Sequence, residues 1–247
     1  MVYFIKIGGS VIAPYDRPEA DLYRIDRIID SLSIIKNFVL VHGAGGYGHP
    51  FAKKMFSSNE KKKYASLIWE NMQVLNTLVI SAMRKYSLNP KTIHYQNFLN
   101  AVNFLESTYF TYEQNFIPVT YGTLDVHLNV ISGDSLMEWL AEYFSEYIDE
   151  KSIAIYITDV DGVYDPITKK HISFMDLDDL ESIIKDMGTY TSKSVDVTGG
   201  MKGKLLSVKR MLENDYVDEV YIVNGRYPER IIDILSGKRV KCTKIMY

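Results

Sequence analysis

Four short apolar runs end in a glycine or a polar turn. They are "VYFIKI" before Gly8 and Gly9, "NFVLV" before "HGAGG", "SIAIYIT" before "DVDG", and "VDEVYIV" before "NG". Near-continuous apolar runs of this length read as strands buried on both faces, the type found in parallel sheets. Helical spacing follows each run. Leu22, Ile25, Ile28, Ile29, Leu32 and Ile35 recur after the first, and a broad apolar face spans 64–83 after the second. Leu177, Leu180, Ile183 and Ile184 follow the third, and "PERIIDIL", opened by Pro228, follows the fourth. This alternation is the grammar of an open, mostly parallel α/β sheet.

The rest of the chain fills that frame. "KTIHY" (91–95) and "NFIPV" (115–119) read as further strands. "YGTLDVHLNVISG" alternates and predicts a hairpin, after which a helix starts near Asp134. "DVTGGMKGK" is a glycine turn opening into a helix, and an edge strand is expected near 239–245. No internal repeat interrupts the pattern. Residues 1–247 are expected to form a single domain with an N-terminal lobe of about 1–150 and a C-terminal lobe of about 151–247.

Bulk properties exclude several classes. The 247 residues are 47% hydrophobic and 24% charged, enough to bury a sizeable core. A net charge of −3 gives no basic footprint for nucleic acid. No apolar stretch is long enough to span a membrane, and "MVYFIKIGGS" reads as a first strand and not as a signal peptide. One cysteine, Cys242, allows neither an internal disulfide nor a zinc spacing, and fits a reducing cytoplasm.

Chemistry concentrates in the loops. Nine of the fifteen glycines lie at Gly8 and Gly9, between Gly43 and Gly48, and between Gly199 and Gly203. Glycine lets backbone N–H groups approach a ligand, and helix N-termini favour anions. Three such loops fit a polyphosphate better than a single dinucleotide turn does. Lys6 ends the first strand, and Lys204 sits early in a helix, where a cation opposes the dipole unless an anion is near. Lys53, Lys54 and the lysines at 61–63 read as solvated surface residues. Asp134 opens a helix as either an N-cap or a site acid, and Asp159 ends an apolar strand, where open sheets gather ligands. Either could organise Mg²⁺ or orient the lysines.

Three familiar motifs fail. Gly43, Gly45 and Gly48 fit G-x-G-x-x-G, but no acidic residue follows at the end of a next strand to hold a ribose. Walker A is absent, and "DVDG" lacks the later glutamate of a calcium loop.

In their shared order, "KIGGS", the glycine loop, "SGD", "TDVDGVY" and "DVTGGMKGK" resemble the amino-acid kinase superfamily. "HGAGGYGHP" and "NGRYPERI" are most similar to the isopentenyl phosphate kinases. The resemblance runs from Lys6 to about Ile231 and is weakest over 86–113. It implies an αβα sandwich that transfers a phosphoryl group from ATP, with Mg²⁺, to isopentenyl phosphate in isoprenoid biosynthesis. It also implies a homodimer. Lys6, Gly8, Gly9 and Ser10 would approach the transferring group, and Thr158, Asp159, Gly162, Tyr164, Gly200 and Lys204 would hold ATP. Gly45, Gly46, His49 and Gly133 would hold the acceptor phosphate, with Asp134 organising the site. No residue is expected to form a dedicated metal site.

The sequence departs from these kinases at several positions. "APYD" follows "GGSVI" where a lysine-bearing run is usual, so Tyr15 takes the lysine's place, with Arg17 two positions on. "SGDS" replaces "SGDD" at Ser135, and Gly46-Tyr47 stands where Ser-Phe is commoner. Two alternatives accompany the expected activity. One is a related kinase acting on a mevalonate phosphate or another phosphorylated metabolite. The other is a nucleotide-binding regulator without catalysis.

Overall fold

The computed structural model describes residues 1–189 and 200–247. The elements begin with β1 (Val2–Ile7), the single turn α1 (Gly9–Ile12), α2 (Leu22–Leu32), β2 (Phe38–His42), α3 (His49–Ser57) and the long α4 (Lys61–Lys85). Next come β3 (Pro90–Thr92), α5 (Ala101–Glu113), β4 (Ile117–Tyr121), the hairpin β5 (Thr123–Leu124) with β6 (Val130–Ile131), and α6 (Gly133–Ser145). The second half adds β7 (Ser152–Thr158), the hairpin β8 (Val163–Tyr164) with β9 (His171–Ile172), β10 (Phe174–Met175) and α7 (Leu177–Thr189). It closes with α8 (Gly200–Glu213), β11 (Glu219–Asn224), α9 (Glu229–Leu235) and β12 (Cys242–Met246).

Eight strands form one sheet in the order β10-β12-β11-β7-β1-β2-β4-β3, so both halves of the chain share it. Among the described residues of this sheet, only the β11–β12 pairing is antiparallel. The period-2 geometry of a strand divides the core in two. Ile5, Ile7, Leu40, Ile155 and Ile157 pack with Ile28 of α2, Leu75 of α4 and Ile231 of α9. Phe4, Val39, Val41, Ala154 and Ile222 pack with Leu136 and Leu140 of α6 and Leu205 and Val208 of α8. Helices therefore cover both faces, as the αβα expectation requires. Lys6 shares the parity of Phe4, which aims it at the α6 and α8 face.

Three boundaries differ from expectation. The C-terminal strand is not an edge: β12 is inserted between β11 and the two-residue β10, a strand too short to leave a periodic trace. The strand expected over 91–95 is limited to β3, and a 3-10 turn, Tyr95–Asn97, follows. The strand expected from residue 115 starts two residues later because Asn115 holds a positive φ of 59°. The turn expected at "DVTG" lies outside the described residues. Among the described residues, no helix is long and apolar enough to cross a membrane.

Candidate active site

β1, β2 and β7 end side by side. The chain leaves β1 for β2 on one flank and returns through β7 on the other, which makes β1 a switch point in the sheet. Crevices beyond the carboxyl ends of strands at such points collect ligands. A cavity of about 610 Å³ opens there. Thirteen of the expected site residues line it: Lys6, Gly8, Gly9, Ser10, Gly45, Gly46, His49, Gly133, Asp134, Thr158, Asp159, Gly200 and Lys204. Gly162 and Tyr164 do not line it.

The deepest feature is a cluster of three buried charges. Lys6 Nζ lies 2.5 Å from Asp134 Oδ1, and Lys204 Nζ lies 3.1 Å from the same oxygen. Each of the three residues is less than a tenth exposed. Local structure fixes the carboxylate. Ser132, not Asp134, caps α6 by accepting from Ser135 N at 3.0 Å, which leaves the Asp134 side chain for the lysines. Ser207 Oγ donates to the Asp134 carbonyl at 3.0 Å and joins α8 to α6. Beneath the cluster lies Tyr156, the β7 partner of Lys6 in register, with its ring centroid 4.7 Å from Lys204 Nζ.

Two ammonium groups share one carboxylate, so the fully ionised cluster carries one uncompensated positive charge. Burial, and then the charge of Lys204, push the Lys6 ammonium down to about 7 despite Asp134. Burial acts to raise Asp134, but the two lysines outweigh it and hold the carboxyl below its ordinary value. An anion entering the cavity supplies the missing negative charge and favours the protonated form of Lys6.

On the β7 side, Ser10 Oγ donates to Asp159 Oδ1 at 3.1 Å, which ties the first glycine loop to the loop after β7. Asp161 points away from the cavity and anchors that loop. Lys241 (2.7 Å), Arg230 (2.6 Å) and Asn224 (3.0 Å) all reach its carboxylate and hold it well below the usual range. Gly162 is explained by packing. Its φ is +146°, and a Cβ there would stand 2.3 Å from Thr243 Oγ1 of β12. Tyr164 lies on β8 with its ring edge-on to His171.

On the β2 side the glycine loop is fused to the first turn of the chain. Gly45 has a φ of +48°, and a Cβ there would stand 2.3 Å from Ala13 O and 2.5 Å from Gly9 O. The two histidines of "HGAGGYGH" have separate environments. His42 is fully buried, stacks on Tyr121 at 5.2 Å and hydrogen-bonds to the Gly43 carbonyl, and burial pushes its pKa down to about 4. His49 opens α3 and lines the cavity. Tyr15 lines the facing rim, whereas Arg17 is turned to solvent, donates to Glu19 at 2.5 Å and does not line the cavity. Ile68, Leu124, Val130 and Ile131 give the same cavity an apolar wall. Among the described residues of α4, only Ile68 lines the cavity; Met72 is buried in the core.

The sequence model of the amino acid kinase family matches residues 1–224 of the chain. The chain belongs to the amino acid kinase family. A relative from Thermoplasma acidophilum, named isopentenyl phosphate kinase, is 32% identical over 241 residues, covering 93% of this chain and 94% of its own. Another of that name, from Methanothermobacter thermautotrophicus, is 31% identical over 274 residues and covers 98% of this chain and 97% of its own. Among solved structures, the product complex of the T. acidophilum isopentenyl phosphate kinase superposes with a TM-score of 0.75 at 27% identity, covering 99% of this chain and 100% of that one.

Within this member of the amino acid kinase family, three features of the site and its support were not assigned from the sequence. The β5–β6 hairpin was legible as a hairpin, but nothing in its pattern marked it as a cavity wall. Lys53 lines the cavity although its run of charge suggested solvent, and the spacing His49-x-x-x-Lys53 was the available signal. Tyr156 was visible as the one polar aromatic in an otherwise doubly buried strand.

Proposed function

We propose that the protein is an ATP-dependent kinase that phosphorylates isopentenyl phosphate to give isopentenyl diphosphate and ADP in isoprenoid biosynthesis. The observation that carries this is a single cavity with two unlike ends. One part of its lining is the buried Lys6–Asp134–Lys204 cluster with surplus positive charge; the other includes His49 and an apolar wall. The names of the relatives support the same substrate.

The chemistry needs alignment more than it needs a strong base. An oxygen of the acceptor phosphate attacks the γ-phosphorus of ATP, a new P–O bond forms, and the bond to the β-bridging oxygen breaks as ADP leaves. The acceptor oxygen is already ionised, so catalysis rests on positioning and charge stabilisation. Lys6, with Gly8, Gly9 and Ser10, would face the transferring group. Lys204, Gly200, Thr158 and Asp159 would hold the nucleotide, and Asp134 would orient both lysines. His49, Gly45, Gly46 and Gly133 would hold the acceptor phosphate. The apolar wall would take the five-carbon tail, at about 0.8 kcal/mol per buried methylene. Gly162 and Tyr164 do not line the cavity, so contacts from them to ATP would lie beyond it.

Mg²⁺ fits as a companion of the nucleotide. Among the described residues no group of three acidic, histidine or cysteine side chains makes a dedicated metal cage. Asp159, which among the described residues accepts from Ser10 Oγ, would hold an ion otherwise bound by phosphate oxygens, the usual state of Mg²⁺ in kinases. The ion would neutralise charge on the phosphates. A cytoplasmic homodimer, with the acceptor in the N-terminal lobe and ATP in the C-terminal lobe, completes the proposal.

A second acceptor has one observation in its favour: Tyr15 and Asp16 line the rim, and they would suit a more polar phosphorylated metabolite. Incubation with Mg-ATP and a panel of acceptors, followed by ADP release, tests both. Turnover with isopentenyl phosphate and not with mevalonate phosphates is the expected result. Turnover only with a more polar acceptor overturns the substrate, and ATP binding without turnover on any acceptor overturns the activity.

A further inference from the structure

We infer that Lys53 is an acceptor-binding residue, a cation that meets the phosphate of the incoming substrate together with His49. This rests on the proposed phosphorylated acceptor and adds a residue to its site.

The inference begins with helix geometry. His49 and Lys53 stand four residues apart on α3, so they share one face of the helix. Long helical side chains lean back toward the N-terminus, which carries the Lys53 stem toward the turn that His49 opens. Both residues line the cavity, whereas the adjacent Lys54 does not. Helix phase alone therefore separates two neighbouring lysines that read alike in sequence.

Charge supplies the second step. A phosphate monoester carries roughly −1.5 to −2 at neutral pH. The other cavity lysines, Lys6 and Lys204, are both engaged by Asp134. Glycine N–H groups and the N-terminus of α3 offer only partial charges. Arg17, the other cation near that rim, is paired with Glu19 and lies outside the cavity. Among the described residues no carboxylate pairs with the Lys53 ammonium. Lys53 thus brings a full, uncommitted charge to the end of the cavity that has the apolar wall. Because the ammonium is exposed, its contribution should depend on salt.

Steady-state kinetics with Mg-ATP and isopentenyl phosphate, each varied in turn, test the inference on wild type, Lys53→Ala, Lys53→Arg and Lys54→Ala. Loss of one charge-assisted contact predicts an acceptor KM about tenfold higher for Lys53→Ala. The KM for ATP and the thermal midpoint should stay at wild-type values. Lys53→Arg should recover part of the loss, and Lys54→Ala should match wild type. An acceptor KM within twofold of wild type for Lys53→Ala overturns the inference, as does an equal rise in both KM values. His49→Ala in the same series separates the two claims: if it raises the acceptor KM while Lys53→Ala does not, the acceptor site stands and Lys53 is outside it. If wild type does not turn over isopentenyl phosphate, the proposed activity fails, and calorimetric binding of inorganic phosphate then decides for Lys53. About tenfold weaker binding by Lys53→Ala supports it, and unchanged binding overturns it.

Discussion

The two ends of the cavity hold positive charge in opposite ways. Lys6 and Lys204 are buried, share one carboxylate oxygen and come from a strand and a helix that the sheet sets in place. His49 and Lys53 stand on one short helix whose entry is shaped by a glycine loop wedged against the first turn of the chain. A buried cluster resists change because every partner removed leaves a charge without solvent. A rim exposed to water tolerates loss of a side chain but depends on the backbone that presents it. The buried end should therefore govern turnover and stability, and the rim should govern acceptor affinity.

The largest effect is expected where the contrast is sharpest. Asp134→Ala leaves two lysines facing each other in a buried site. Breaking a buried ion pair from one side costs about 3 kcal/mol, and misplaced lysines should lower kcat at least about a hundredfold. Chemical denaturation and steady-state kinetics check both. Near-wild-type turnover would show that Asp134 does not orient the reacting groups.

At the rim the backbone is the sensitive part. Gly45→Ala must hold a positive φ and bring a Cβ to 2.3 Å from Ala13 O. A cost of about 2 kcal/mol is expected, with the acceptor KM rising more than the KM for ATP. Equal rises would mean that the glycine loop serves both substrates, and the division of the cavity would fail.

Protonation sharpens the same contrast. The folded pKa of Lys6, about 7, lies below its ordinary 10.5, so between these values the unfolded chain binds more protons than the folded one. Stability from this group therefore rises with pH across that window, and the cost of burying the charged form is fullest below pH 7. Between pH 7 and 8 the wild type should gain about 1 kcal/mol relative to Lys6→Met in denaturant titrations. Nucleotide binding should have the opposite trend, because the protonated form must be restored: affinity falls as pH rises above 7. A difference between the two proteins that does not change with pH would remove the buried charge from the account.

The fold was largely legible because its signals are repetitive. Four apolar runs, each followed by helical spacing, demand a doubly covered parallel sheet, and strand parity then assigns Lys6 to the α6 and α8 face. Asp134 and Lys204 were legible as chemistry, but their convergence on one oxygen was not. That depends on two helices packing across a strand, a long-range fact with no local trace. Lys53 and the β5–β6 wall were hidden for a related reason: whether a surface residue faces bulk water or a cavity depends on what the chain folds against it. The placement of β12 was missed because β10 is only two residues long.

The smallest effect tests where the nucleotide end stops. In "TDVDGVY" the first two residues, Thr158 and Asp159, line the cavity, while Gly162 and Tyr164 do not. The division has a structural cause. Asp161 is held by Arg230, Lys241 and Asn224, and Val163 N donates to Thr243 Oγ1 at 2.7 Å, so the loop turns toward β12 once it passes Val160. Gly162 lets β12 come close, and Tyr164 packs on His171 at the surface. Tyr164→Ala should accordingly change stability by less than about 0.5 kcal/mol and leave the KM for ATP within about twofold of wild type. A tenfold rise in that KM with unchanged stability would mean that the nucleotide extends over β8. The cavity walls around the buried lysines would then enclose only its phosphates, and the base would lie outside them.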